Sequence, residues 1–380
     1  MLRSSTLLTT SRWAGRWLAL ALAFSTVPIH ATERDNILIV VSGEGREQGK
    51  TRPGFEMDEF SQAYLIFRDN GLTVDVASPA GGAVEADQYN PKEPFNARLL
   101  ADADAMRKLA DTRATRDVRA GDYAAVYVVG GKGAMFDLPA DPALKALLSQ
   151  VYARGGIVAA VCHGPAALVD VRLGDGSLLV SGRTLTGFSN EEESIFGKRW
   201  AKEFRFQLED AMRERGAHWQ EAPLMMPKLV VDGRLITGQN PYSTPAVAEA
   251  IVKATGRTPV VREPWRDEVT MALVQRLLAG HADEARSELA ANRAQFHVEL
   301  IGLLGYYQLQ AAQNDAAVRD ALSIMELAQP YMAEPQLKLG IADAHWRLGN
   351  TAQARELAGK LLATNPDMDE ARALLKRMNN

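Results

Sequence analysis

Cysteine is what this chain most conspicuously lacks: among 380 residues one, Cys162, carries a thiol. An internal disulfide is therefore excluded, as is a metal centre built on CxxC pairs. Six histidines give no HExxH spacing, and those at 218, 281, 297 and 345 are scattered, so no required metal is expected. Charge of one sign is also missing. Lys plus Arg number 43 against 47 Asp plus Glu, for a formal net charge of −4, which leaves no basic footprint for a nucleic-acid partner. After the N-terminus no apolar run is long enough to span a bilayer.

The first 31 residues differ from the rest. Arg3, Arg12 and Arg16 precede an apolar segment at 17–24, followed by Pro28-Ile29-His30-Ala31. This is the layout of a cleavable secretory signal ending at Ala31, too short to serve comfortably as a membrane span. A mitochondrial-type presequence and an uncleaved anchor are the alternatives. The expectation is an exported, periplasmic protein with no stable membrane span once the signal is removed. In an oxidising space the lone thiol must stay free, pair between chains, or be oxidised.

From residue 35 to 258 short apolar runs alternate with amphipathic stretches, the signature of a doubly wound α/β domain with a parallel, flavodoxin-like sheet. Strands are expected at 37–41, 72–77, 123–129 and 156–161, with an outer strand at 183–188 and a hairpin at 229–237 around Asp232-Gly233. Helices are expected at 57–70, closed by Gly71, and at 144–154. A polar insertion between Gly81 and Gly121 need not belong to the sheet; it reads as a cap over a site or as surface decoration. Pro259 and Pro264 bound a linker. Residues 265–380 are rich in alanine and leucine with helical periodicity. Ala344-His345-Trp346-Arg347-Leu348-Gly349, then Ala354 and Pro366, resembles the tetratricopeptide pattern. Weaker copies pair Gly280 with Ala285 and Ala312 with Ala317 at uneven spacing, and a non-repeating bundle is the alternative. Either form implies a surface for a protein partner rather than chemistry.

Chemistry concentrates at Ala160-Val161-Cys162-His163-Gly164-Pro165. A β-branched strand runs into the thiol, and Pro165 opens what reads as a helix, so Cys162 sits at a nucleophile elbow. A helix N-terminus there would favour thiolate and make the sulfur nucleophilic near neutral pH. Only a kinked backbone could bring the neighbouring His163 ring beside the sulfur. Backbone N–H groups of the Gly130-Gly131 turn, Gly131 in particular, and of His163 are the candidates to hold developing negative charge.

These segments, with Phe67-Arg68-Asp69-Asn70-Gly71-Leu72-Thr73-Val74, Gly130 through the Phe136-Asp137-Leu138-Pro139 run, Leu185-Thr186-Gly187-Phe188 and Thr237-Gly238-Gln239-Asn240-Pro241, resemble the DJ-1/PfpI superfamily. That group is also described as class I glutamine amidotransferase-like, and the likeness is to its Hsp31-like branch. It covers about residues 36–254 and neither the signal nor the helical tail. The resemblance implies Cys162 as nucleophile, His163 as its paired base, Glu59 as a helix carboxylate against the sulfur, and Glu193 as the acid orienting the histidine, with Glu192 as the alternative register. It also implies no cofactor, and a homodimer as in many relatives. Lys132 stands where many relatives carry histidine; its charge would favour an anionic ligand or point into water.

The activity implied is that of a glutathione-independent glyoxalase III, a lyase acting on small reactive carbonyls and turning methylglyoxal into D-lactate. Two alternatives stand beside it. One is an amidase- or peptidase-type hydrolase on the same Cys-His pair. The other is a stress-protective chaperone or oxidant sensor that uses the helical tail as its interaction surface.

Overall fold

Ile37, Leu38, Ile39 and Val40 are all completely buried, as a central strand covered on both faces requires. They belong to β1 (Asn36–Val40) of a computed structural model that describes residues 1–2 and 35–378. The expected export signal at 1–31 lies outside the described residues apart from its first two.

The chain then runs α1 (Met57–Asp69), β2 (Thr73–Ser78), α2 (Pro94–Leu100), α3 (Ala103–Ala110), β3 (Arg113–Ala114), β4 (Ala125–Val128), α4 (Pro142–Ala153) and β5 (Ile157–Val161). It continues through β6 (Thr184–Leu185), α5 (Asn190–Phe196), α6 (Leu208–Glu214), β7 (His218–Trp219), β8 (Leu229–Asp232), β9 (Leu235–Gly238) and α7 (Thr244–Ala254). The main sheet has the order β3-β2-β1-β4-β5-β9-β8. Every pairing is parallel except β8 with β9. The crossover β1-α1-β2 steps one way from the sheet centre and β4-α4-β5 the other, so right-handed connections put α1 and α4 on opposite faces. This is the doubly wound parallel architecture expected of the family likeness.

Three local expectations change. The outer strand at 183–188 shortens to Thr184–Leu185 and pairs with β7 in a separate two-stranded sheet. The 81–121 insertion does reach the main sheet, because β3 extends its edge beside β2. The helix expected after Cys162 is a 3₁₀ turn, Gly164–Leu168. The hairpin forms around Gly233, whose φ of 61° at the first central position suits a two-residue turn of the II′ kind.

Beyond the 259–264 stretch come α8 (Arg266–Leu278), α9 (Ala282–Ala291), α10 (Val298–Ala311), α11 (Asp315–Ala328), α12 (Pro335–Arg347), α13 (Thr351–Thr364) and α14 (Asp369–Arg377). Successive helices pack as pairs, α8 with α9, α10 with α11 and α12 with α13. Gly280 and Gly349 adopt φ of 96° and 84°, which lets the chain reverse after α8 and α12. The helical core is almost wholly apolar, and it takes in Met226 from the α/β domain. No described helix is long and apolar enough to cross a membrane.

Candidate active site

Cys162 follows directly on β5 and adopts φ 58°, a left-handed conformation that costs an ordinary residue about 1–2 kcal/mol. Two backbone hydrogen bonds hold it there: its N–H donates to the Gly238 carbonyl at 2.9 Å, and its carbonyl accepts from the Phe188 N–H at 2.8 Å. The kink does what an extended strand could not. His163 Nδ1 lies 3.4 Å from Sγ, and Nε2 lies 2.7 Å from Glu193 Oε2. With Nε2–H donating to that carboxylate, Nδ1 is left free to accept the thiol proton.

Glu59 comes from the first turn of α1, beyond the carboxyl end of β1. Its Oε2 accepts the Gly130 N–H at 2.6 Å, its carboxyl lies against the thiol, and Oε1 has no partner among the described residues. The Gly131 N–H lies near enough to the sulfur to favour its charged form. Gly130 must be glycine because a Cβ would stand 2.6 Å from the Cys162 Cβ and 2.8 Å from Glu59 Oε2. The site thus gathers at the carboxyl ends of β1, β4 and β5, where an open α/β sheet presents its ligand crevice.

The expected thiolate is corrected by the surroundings. Burial pushes the Cys162 thiol well above its ordinary range, and Glu59 beside it acts in the same sense, against the Gly131 N–H. The short 3₁₀ turn supplies too little aligned dipole to reverse this. Burial, and then Glu56, likewise hold the Glu59 carboxyl far above the usual carboxylate range. Both groups are pushed toward their neutral forms, a thiol and a carboxylic acid.

The two glutamates that sequence alone left in competition separate cleanly. Ser189 caps α5, and Glu192 closes a capping box with it. That commits the Glu192 carboxylate away from the histidine, which Glu193 meets instead. The Ser-x-x-Glu spacing at 189–192 is the sequence signal that would have decided the register.

The sequence assigned no role to the aromatic rings around His163. The His163 ring lies against Phe188, with centroids 4.4 Å apart, and meets Phe204 at 6.0 Å. Phe204 packs on Phe136 at 5.4 Å, and the Arg52 guanidinium covers Phe136 at 4.5 Å. These groups keep water from Cys162 and His163, which are 4% and 2% exposed. Lys132 is half-buried. It faces Glu56 and Asp87, and draws down the carboxyl of Glu56, which burial and the neighbouring Asp58 and Asp87 raise to about 8. Among the described residues no group of three or more His, Cys, Asp or Glu is placed to hold a metal ion.

Residues 51–254 match the model of the DJ-1/PfpI family. The chain belongs to that family. Among curated relatives of this DJ-1/PfpI chain, the glutathione-independent glyoxalase hsp3101 of Schizosaccharomyces pombe is 32% identical over 214 residues, covering 53% of this chain and 87% of the relative. The glutathione-independent glyoxalase HSP31 of Saccharomyces cerevisiae is 32% identical over 215 residues, covering 53% and 90%. The crystal structure of glyoxalase III from Candida albicans superposes with a TM-score of 0.54 at 25% identity, covering 58% of this chain and 96% of that one. The family match ends at residue 254, so α8 to α14 lie outside it.

Proposed function

We propose that this protein is a glutathione-independent glyoxalase of the glyoxalase III type, converting methylglyoxal and water to D-lactate with Cys162 as nucleophile. The observation that carries the reading is a buried carboxyl, Glu59, which burial pushes toward its protonated form, and a histidine base, His163, both placed against one buried thiol. His163 takes the thiol proton while Glu193 stabilises the imidazolium. The sulfur adds to the aldehyde carbon, and the new oxyanion takes up a proton to give a hemithioacetal. Glu59, as carboxylate, or His163 removes the proton from that carbon; the adjacent ketone oxygen is protonated, giving an enediol. Reprotonation on the second carbon yields a lactoyl thioester, which water hydrolyses to lactate and the free thiol. The Gly131 N–H supports the charge that passes through the sulfur.

An amidase or peptidase would use the same Cys162-His163-Glu193 line but leave Glu59 without a task. The isomerising chemistry uses both. The similarity to named glyoxalases supports the same choice. The N-terminal arginines and short apolar segment support action outside the reducing cytoplasm. The stacked helix pairs support a tetratricopeptide-like surface for a protein partner, through which a protective role would run.

The test is D-lactate formation from methylglyoxal without glutathione, by wild type and by Cys162→Ala. Wild-type turnover reduced ~10³-fold or more in the variant is expected. Equal turnover in both would exclude the cysteine mechanism, and none in either would exclude the activity.

A further inference from the structure

Glu192 does more than cap a helix. Its carboxylate is completely buried and accepts four N–H groups from three different segments. Oε2 takes the Ser189 N–H at 2.9 Å. Oε1 takes the Met225 N–H at 3.0 Å, the Gln239 side-chain amide at 3.0 Å and the Asn240 side-chain amide at 2.9 Å. Ser189 directly follows Phe188, whose N–H holds the Cys162 carbonyl, and Gln239 directly follows Gly238, whose carbonyl holds the Cys162 N–H. One carboxylate therefore ties together the two strands of chain that fix the strained cysteine, and it stands next to Glu193.

The third segment leads to the helical domain. Met225 has φ 59°, a conformation that an ordinary residue keeps only when its surroundings enforce it. The preceding carbonyl, Leu224 O, accepts from Gln308 Nε2 of α10 at 2.9 Å, and the following residue, Met226, lies in the helical core. Asn240 Nδ2 also donates to the Met226 carbonyl at 2.9 Å. A parallel contact joins the far end of α5 to α10, where the Phe196 and Tyr307 rings pack edge to face at 5.0 Å.

We infer that Glu192 is a positioning residue through which the docked α10 helix sets the Glu193-His163-Cys162 line, so that the helical domain is part of the active site's support. The residue touches no reacting atom. The inference rests on the proposed cysteine chemistry only for its activity readout.

The experiment uses the full-length chain with Glu192→Gln, Gln308→Leu and the double variant. Glu192→Gln sets an amide N–H₂ against one of the four donors; Gln308→Leu removes the donor from α10. Leu374→Ala, which loosens the distant α14, is the control for general destabilisation of the helical domain. Two quantities are followed: kcat and KM for methylglyoxal, and the pH profile of Cys162 alkylation by iodoacetamide, read by intact mass.

Each single variant is expected to lower kcat ~10-fold with KM within ~2-fold, as a displaced base would. Each is also expected to move the alkylation profile to higher pH by ~0.5 unit or more, because His163 takes the thiol proton less readily. The double variant should lose little more than either single one, since both act through one connection. An unmoved alkylation profile in Gln308→Leu, fully additive losses, or an equal effect from Leu374→Ala would overturn the inference. If the wild type does not turn over methylglyoxal, the glyoxalase reading fails alone, and alkylation, which needs no substrate, still decides this one. If Glu192→Gln does not fold, the Gln308→Leu and Leu374→Ala profiles settle it.

Discussion

The two halves of the molecule bury different things. In the α/β domain the interior holds Glu59, Asn96, His163, Glu192, Glu193, Glu209, Gln239 and Asn240 alongside its apolar core, whereas the described residues of the helical domain bury only Thr270, Gln308 and His345 as polar side chains. Of those three, Gln308 donates to the α/β domain, while Thr270 Oγ1 receives the His297 N–H at the start of α10 at 2.8 Å, within the helical domain. Buried polarity is destabilising unless each group is satisfied, so its concentration marks where structure has been committed to chemistry. The helical half, built from apolar pairs, has the make-up of a scaffold.

The sharpest way to break this contrast is to remove one buried acid. Glu59→Gln keeps an oxygen for the Gly130 N–H but cannot exchange a proton, so methylglyoxal turnover should fall ~10²–10⁴-fold, with thermal stability held or raised as an ionisable buried group is lost. Steady-state kinetics beside a melting curve would check both; retained turnover would make the α/β interior as passive as the helical one.

A second comparison adds the same methyl group to each half. Gly130→Ala forces a Cβ into the Cys162 Cβ and the Glu59 carboxyl, and should cost ~1–3 kcal/mol of stability together with most of the activity. Gly359→Ala in α13 meets no atom within 4 Å and should stabilise by ~0.5–1 kcal/mol. Chemical denaturation of the two variants would weaken the contrast if they moved alike.

The smallest effect is on pH. Burial raises Asp58 to about 6, Asp137 to about 6, Glu192 to about 7 and Glu56 to about 8, all in the α/β domain. A carboxyl with a raised folded-state pKa binds its proton more tightly folded than unfolded, so its stabilising effect is complete below the unfolded value and disappears as pH climbs through the folded one. The α/β domain should therefore lose ~5 °C or more of melting temperature between pH 5 and 8. Hydrogen exchange in β1 and β4 should accelerate beyond the intrinsic pH effect over that range, while α12 and α13 follow the intrinsic rate; a flat or rising α/β stability would contradict the upward direction of all four carboxyls.

Much of this was legible in the residues. Apolar runs marked the central strands because β1, β4 and β5 are buried on both faces, and motif order brought Cys162, His163, Glu59 and the Gly130-Gly131 turn to one place. What escaped depends on distance in space. The upward push on the thiol comes from burial and from Glu59 beside it, which no local pattern encodes. The roles of Asp87 and Phe204 come from separate stretches that meet only in the fold. The turn after Cys162 read as a helix because Pro165 opens helices well, yet it ends at Val169 and the next residue, Asp170, has φ 63°. The uneven repeat marks reflect real differences between helix pairs: α9 is short and followed by a further 3₁₀ turn, Arg293–Gln295.

The single thiol of this chain would make it its own titrant for the proposed cysteine chemistry. With no other sulfhydryl to compete, each molecule can accept one cysteine adduct and no more, and the intact mass of a preparation counts free Cys162 thiols directly. An oxidised fraction would show as an oxygen-sized mass increment on a peptide spanning Cys162, distinct from methionine oxidation elsewhere, so lost activity and lost thiol can be matched molecule for molecule.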